Sequence, residues 1–448
     1  MSIRVISLDE ARQTILQRRP LGEAHLPVHV RAAIRKVFGA DLSAEQVVEE
    51  IINRVQSSGD RALLDLTERI DGVRLSSLEV AKETISEAYS MVDGDLVDAL
   101  RMAAERIQRF HSKSIPQSWL DWSSEGALGQ MIRPLERVGL YSPGGTADYP
   151  STILMQAIPA KAAGVRQVLL ASPPRENGVP SPLTLVAADI AQVDRVFAVG
   201  GAQAIAAFAY GTETIPRVDK ILGPGNVFVA LAKRRVFGSV GIDQLAGPTE
   251  TVIVADESAR ADFVAADLLA QAEHDPMASA ILITNSVTLA RRVQEEISDQ
   301  LGGLPRSGIA AESLRTNGGI VVVGSVLEAV EVANEYAPEH LCLLVADGAS
   351  YLGYVRNAGG VFVGEYSPEV VGDYIAGPSH VMPTGGTARF SSPVNVLDFL
   401  KVTSVVALNR DASIALGSVA ATIADAEGLS GHARAIRARM GTSIDRDR

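Results

Sequence analysis

Between residues 137 and 238, short apolar runs ending in Gly or Pro alternate with helical stretches, and this pattern constrains the fold more than any other. RVGLYSP, QVLLASPP, RVFAVGG and KILGPG read as strands. TILMQAIPAKAAG, PLTLVAADIAQ and AQAIAAFAYG read as the helices between them, and NVFVALAKRRVFG as a helix after the last. Strands separated by helices pair in parallel, because each helix returns the chain over the sheet as a right-handed crossover. Ligands of open α/β sheets bind at the carboxyl ends of the strands. Here those ends are Tyr141-Ser-Pro-Gly-Gly, Val199-Gly-Gly-Ala-Gln203 and Leu222-Gly-Pro-Gly-Asn226. Three glycine-rich turns on one edge suit a nucleotide phosphate. None is the GxGxxG fingerprint, however, and tight strand-to-helix turns need glycine for folding alone.

A second alternating series runs from Thr251 to about Tyr366. Its strands are TVIVADE, SAILITNS, GIVVVGS, LCLLVAD and GVFVGEY, and the join between the two series lies near Pro248. Ahead of both, residues 8 to 37 read as short helices separated around Pro20 and Pro27. Ala44 to Gln117 keep apolar residues at spacings of three and four, the mark of an amphipathic helical layer. After Phe390 the chain reads as mainly helical again. Its last piece, ASIALGSVAATIADAEGLSGHARAIRARM, is too small and exposed to stand alone, so it packs on its own body or on a second subunit.

A chain of 448 residues with 47% hydrophobic residues can build two or three domains with a large core. The net charge of −12, with no basic run, argues against nucleic acid or an anionic membrane as the main partner. One cysteine, Cys342, rules out an internal disulfide and a cysteine-cluster metal site. The first residues contain acids and lack a continuous apolar core, unlike a secretory or transit signal, and no apolar run is long enough to span a membrane. The expectation is a soluble, cytoplasmic protein.

Histidine and carboxylate are the usual materials of zinc sites and of general acid–base work. Four of the seven histidines lie in the second half, each near a carboxylate. Gln271 and His274 close the run ADFVAADLLAQAEHDP, three apart and therefore on one face of a helix's last turn, with Pro276 ending it. The pair reads as half of a metal site or as a solvated helix cap. Glu339 and His340 stand where a helix ends at Pro338 and an apolar strand begins, placed for catalysis or as polar punctuation. Asp373 and His380 share a segment with Gly372 and Gly377 that can aim them at one point, with an Asx-type turn as the other reading. His432 follows Glu427 by five residues. His25, His29 and His111 read as surface or packing residues. Cys342, inside an apolar strand, reads as a small buried hydrophobe.

Together LYSPGGTADYPST, VGGAQAIAA, GPGNVFVALAKR, AGPTE, ADLLAQAEHDP, NEYAPEHL, GDYIAGPSHVMPTGGTARF and AEGLSGHARA resemble the histidinol dehydrogenase family, in collinear order from about 130 to 440. The resemblance implies an α/β fold of two Rossmann-like, aldehyde-dehydrogenase-like domains with small helical N- and C-terminal segments. Their boundaries would be 1–27, 28–136 with 250–382, 137–249, and a dimerisation tail 383–448. It implies a cytoplasmic NAD-dependent enzyme with one Zn2+ per subunit that oxidises L-histidinol through L-histidinaldehyde to L-histidine. It further implies an intertwined homodimer with Glu427 and His432 supplied in trans. On that resemblance Gln271, His274, Asp373 and His432 hold the metal, and Glu339 and His340 are the acid–base pair. Thr249, Gln271, His274, His340, Asp373, His380, Glu427 and His432 would contact substrate, and Tyr141, Gln203 and Asn226 the cofactor. Thr249 stands where Ser is commoner, Ser142 replaces an apolar residue, Asp148 adds a charge on the cofactor side, and Cys342 sits where an acid is frequent. The alternative is a paralogous zinc and NAD dehydrogenase of another small polyol, such as a sulfonated diol. A zinc hydrolase, in a different class, would bind no NAD.

Overall fold

The computed structural model describes residues 3–18, 27–144 and 148–441; His25 lies outside them. The chain divides into two compact units, one of Met1–Ser114 with Leu135–Phe399 and one of Ile115–Pro134 with Leu400–Arg448. The first holds two parallel sheets. In the five-stranded sheet the order is Arg195–Ala198, Gln167–Ser172, Arg137–Tyr141, Lys220–Leu222, Gly241–Ile242. In the six-stranded sheet it is Val5–Ser7, Gly319–Val322, Ser279–Thr284, Glu250–Ala255, His340–Leu344, Gly360–Val363. The fold is therefore α/β, with the expected alternation realised in both series. Val5–Ser7, ahead of the segment read as short helices and given no element in the sequence, adds an edge strand to the second sheet by pairing with Ile320, Val321 and Val322.

Parallel strands covered by helices on both faces must be apolar throughout, not alternating. Glu250–Ala255 is buried at every position. Its partner His340–Leu344 places His340 beside Thr251 and Cys342 beside Ile253. Side chains two apart share a face, so His340, Cys342 and Leu344 line one side of the sheet. Cys342 and Leu344 pack there with Val264, Leu268 and Leu269 of the helix Ala261–Ala272. Leu341 and Leu343 fill the other side against Val330 and Ala333 of the helix Val326–Tyr336.

The helical layer forms as expected, Ala44–Asp71 and Gly94–His111 being its long members. At Gly59 the first of these breaks, with φ 49° and ψ −131°. A Cβ there would stand 2.2 Å from the Glu213 carboxylate, which accepts the Asp60 N–H at 2.8 Å, so only glycine fits. The helix Gly201–Tyr210 is buried nearly all round, and its alanines let it lie close to Ala44–Asp71 in one core.

His111 ends the helix Gly94–His111 buried, with neither ring nitrogen hydrogen-bonded. Burial without a partner pulls its pKa down to about 4. The unfolded chain takes up this proton near pH 6.5, whereas the folded chain refuses it until about 4. Stability therefore falls as pH drops through that window, by up to about 3 kcal/mol from this ring. In His111→Leu the decline of Tm between pH 6.5 and 4 should be shallower than in the parent. Equal slopes would show that the ring is not the sensor.

The second unit is built on an antiparallel sheet, Leu400–Leu408, Gly126–Pro134, Trp119–Ser123, followed by helices Arg410–Ala426 and Ser430–Arg439. The segment after Phe390 is mainly helical, as expected, but it also holds the strand Leu400–Leu408, which the sequence reading did not name. Exposed apolar side chains are dense here, among them Trp122, Val402, Val406, Val419 and Ile423. No described helix is long and apolar enough to cross a membrane.

Candidate functional site

The candidate acid–base residues open their strand. The helix Val326–Tyr336 is capped by Ala337 in the left-handed region (φ 53°), and Pro338 forbids its continuation. Glu339 and His340 then enter the sheet, 8% and 3% exposed. The Glu250 backbone holds both. Its N–H donates to Glu339 Oε2 at 3.1 Å, and its carbonyl lies 3.4 Å from His340 Nδ1. On the other side of the ring, His340 Nε2 is 3.3 Å from Asp373 Oδ1. The site therefore sits at the amino edge of the six-stranded sheet.

Thr249 ties this pair to Gln271. Its hydroxyl is 2.7 Å from Glu339 Oε2 and 3.0 Å from Gln271 Oε1. One hydroxyl proton serves one acceptor at a time, so Thr249 donates either to Glu339 Oε2, the nearer, or to Gln271 Oε1. Burial pushes Glu339 up to about 7, against the pull of the His340 charge and of the Thr249 hydrogen bond, both of which favour the carboxylate. For His340, burial disfavours the imidazolium. Glu339, Asp373 and Glu369 outweigh it and push the pKa up to about 10.

Gln271 is buried in the last turn of Ala261–Ala272. The helix stops there, four residues before Pro276, and His274 lies in the following turn with its N–H on the Gln271 carbonyl. The tightened turn ends the helix ahead of the proline, and its i to i+3 bond leaves Gln271 and His274 on one side of it. His274 is exposed, in surroundings dense enough for desolvation to lower its pKa, opposed by Asp373 and Glu273.

Asp373 lies in the irregular turn Gly372–Ala376, which Gly377 ends at φ 127°. Its side chain meets His340 and its carbonyl accepts from His380 Nδ1 at 2.5 Å. That bond leaves His380 Nε2 to accept from Thr152 Oγ1 at 3.1 Å, on the first helix of the five-stranded sheet. Burial favours the neutral acid of Asp373, but the His340 hydrogen bond and the His340, His380 and His274 charges hold its carboxyl below the usual range.

Thus Thr249, Gln271, His274, Glu339, His340, Asp373 and His380 are brought to one place. Glu427, which caps the helix Arg410–Ala426, and His432 are exposed in the other unit. Among the described residues no three His, Cys, Asp or Glu are grouped to hold a metal. A set completed by a carboxamide and by His432 forms no such group within one unit. The donors available here, a carboxamide oxygen, a neutral imidazole and a charged carboxylate, fit a borderline divalent cation.

The expected cofactor residues lie at the carboxyl edge of the five-stranded sheet. The buried Tyr141 hydroxyl accepts the Gly201 N–H at 3.0 Å, and a Cβ on Gly223 would fall 2.1 Å from the Tyr141 carbonyl. Asn226 caps the helix Val227–Val236 through Phe228 and Val229. Buried polar atoms at this edge lack protein partners: Ser142 Oγ, Ser172 Oγ and Gln203 Nε2. Buried polar atoms seldom go unsatisfied, so this edge fits a polar ligand such as a dinucleotide. Asp148 is paired with Arg175 at 2.8 Å, which offsets its charge on that side.

Sequence reasoning missed Arg18, Glu250 and Glu369. Glu369 is fully buried below His340, accepting from Thr251 at 2.7 Å with the Cys342 thiol 3.9 Å away. Cys342 is buried, as expected, and burial raises its pKa, with Glu369 adding to the rise.

The histidinol dehydrogenase family model matches residues 36–440. A histidinol dehydrogenase of Deinococcus radiodurans is 50% identical over 440 residues, covering 98% of this chain and 100% of that protein. One of Moorella thermoacetica is 53% identical over 411 residues, covering 90% of this chain and 97% of its own. The crystal structure of histidinol dehydrogenase from Elizabethkingia anophelis matches with a TM-score of 0.90 at 32% identity, over 98% of each chain. With sequence, length and fold in agreement, the chain belongs to the histidinol dehydrogenase family.

Proposed function

We propose that this protein is a cytoplasmic histidinol dehydrogenase that oxidises L-histidinol through L-histidinaldehyde to L-histidine, a four-electron oxidation that uses two NAD. The observation that carries this is the buried Glu339–His340 pair, hydrogen-bonded to Thr249 and Asp373, in a chain about half identical to proteins of that name. Gln271, His274 and Asp373, with His432 of a second copy, would hold zinc; Tyr141, Gln203 and Asn226 would line the cofactor side. When bound, zinc supplies a positive template beside Asp373 and NAD takes up hydride.

The chain's own residues do the rest. Thr249, His380 and the second copy's Glu427 hold the substrate. His340 removes the alcohol proton as hydride leaves carbon. Glu339, and after it the Asp373 hydrogen bond, favour the proton on His340; a cation held by Asp373 would offset part of that hold. Glu339 removes a proton from the water that adds to the aldehyde, and His340 accepts again as the second hydride leaves. A group with a pKa near the working pH suits this water activation.

The proposed domains are an N-terminal segment 1–27, 28–136 with 250–382, 137–249, and a tail 383–448 that joins two subunits into an intertwined homodimer. The exposed Trp122, Val402, Val406, Val419 and Ile423 support such a partner. NADH formation from L-histidinol against sulfonated diols tests the assignment. Turnover of L-histidinol is expected, and turnover of a diol alone would overturn it.

A further inference from the structure

The helix that ends just before Glu339 and His340 is held from an unexpected direction. Arg18 comes from the N-terminal arm, ahead of residue 36 where the family match begins. Its guanidinium lies 3.6 Å above the Tyr336 ring. It donates to the Tyr336 carbonyl through Nε (3.1 Å) and Nη2 (2.5 Å), and to the Ala337 carbonyl through Nη2 (3.0 Å). Its Nη1 pairs with the Glu250 carboxylate, whose side chain is 9% exposed. The same carboxylate oxygen accepts the Gly385 N–H at 3.0 Å.

Each partner of Arg18 adjoins the acid–base pair, Tyr336 and Ala337 two or three residues before Glu339 and Glu250 by hydrogen bonds to it. Ala337 carries the left-handed backbone that turns the chain into Pro338, Glu339 and His340, a conformation that costs a non-glycine residue about 1–2 kcal/mol. Arg18 grips the carbonyls on both sides of that turn. Glu250 supplies the peptide whose N–H meets Glu339 and whose carbonyl faces His340. One guanidinium therefore fixes both the strand entry and the neighbouring peptide that together aim the two side chains. A fixed planar fork does this where a lysine ammonium cannot, since it has no fork to span two carbonyls and a carboxylate.

We propose that Arg18 and Glu250 are positioning residues for the Glu339–His340 pair, the N-terminal arm thereby setting the geometry of proton transfer. The proposal rests on the reading of Glu339 and His340 as the acid–base pair. Neither residue touches the substrate; they act through the backbone at Ala337 and Glu250.

The test uses full-length Arg18→Ala, Arg18→Lys and Glu250→Gln proteins, with folded fraction and zinc content measured for each. Misplacement on the order of 1 Å costs about 10²-fold in rate. The kcat for L-histidinol should fall by that order, with KM little changed and zinc retained. Added methylguanidine should restore part of kcat in Arg18→Ala, and Arg18→Lys should stay impaired. A purely structural clamp would instead lower Tm while leaving kcat per folded site at the parent value, and that result overturns the proposal. If Arg18→Ala does not fold, Glu250→Gln, which keeps the side-chain shape, decides the question by the same kcat. His340→Gln and Glu339→Gln run alongside separate the two failures. If both keep parent activity, the acid–base reading falls and takes the proposal with it; if they lose activity while Arg18→Ala keeps it, the proposal alone falls.

Discussion

Replacing His340 by alanine is expected to lower kcat for L-histidinol and for L-histidinaldehyde together, by about 10²–10⁴-fold. The reason is positional. His340 is the first residue of a buried strand, with its ring between the Glu250 carbonyl and the Asp373 carboxylate. No other described imidazole shares those contacts, so no neighbour takes over. Both oxidations need a proton removed from oxygen as hydride leaves, and both therefore lose the same base. Glu339→Gln should behave differently. Its carboxyl is hydrogen-bonded to Thr249 and the Glu250 N–H, and its proposed task is the water that enters only at the aldehyde stage. Oxidation of L-histidinol to the aldehyde should survive that change far better than oxidation of the aldehyde. Separate measurement of the two half-reactions checks this, and equal losses in both would end the division of labour.

The second large effect concerns the shared site. His274 and His432 lie in different units of the chain, and the proposal places them together only across two subunits. His274→Ala and His432→Ala proteins should each be inactive. When mixed and allowed to exchange, half of the dimers are mixed, and each carries one intact site of two. About a quarter of parent activity should then return. Subunit exchange is followed independently by mass or by differential tagging. Exchange without recovered activity would show that each site is built within one chain.

The parallel sheets were legible because their signal is local. Buried strands such as Glu250–Ala255 are continuous apolar runs punctuated by glycine or proline, and helices announce themselves by spacing. The antiparallel sheet carried no such mark. All of Trp119–Ser123 and most of Leu400–Leu408 are exposed, so burial imposes no alternation on them, and their pairing with Gly126–Pro134 is partly contributed by a strand far along the chain. The site divided in the same way. Gln271, His274, Glu339, His340, Asp373 and His380 were found through short motifs. Arg18 and Glu250 were not, because their contact spans 232 residues and a lone arginine near the start of a chain has no distinguishing neighbourhood.

The measurement closest to the central claim is the stoichiometry of the complete reaction. Purified protein is incubated with limiting L-histidinol and excess NAD, and NADH and L-histidine are quantified at completion. About two NADH are expected for each L-histidine formed, because the alcohol and the hydrated aldehyde each lose one hydride. One NADH for each L-histidinol consumed, with L-histidinaldehyde as the product, would contradict it.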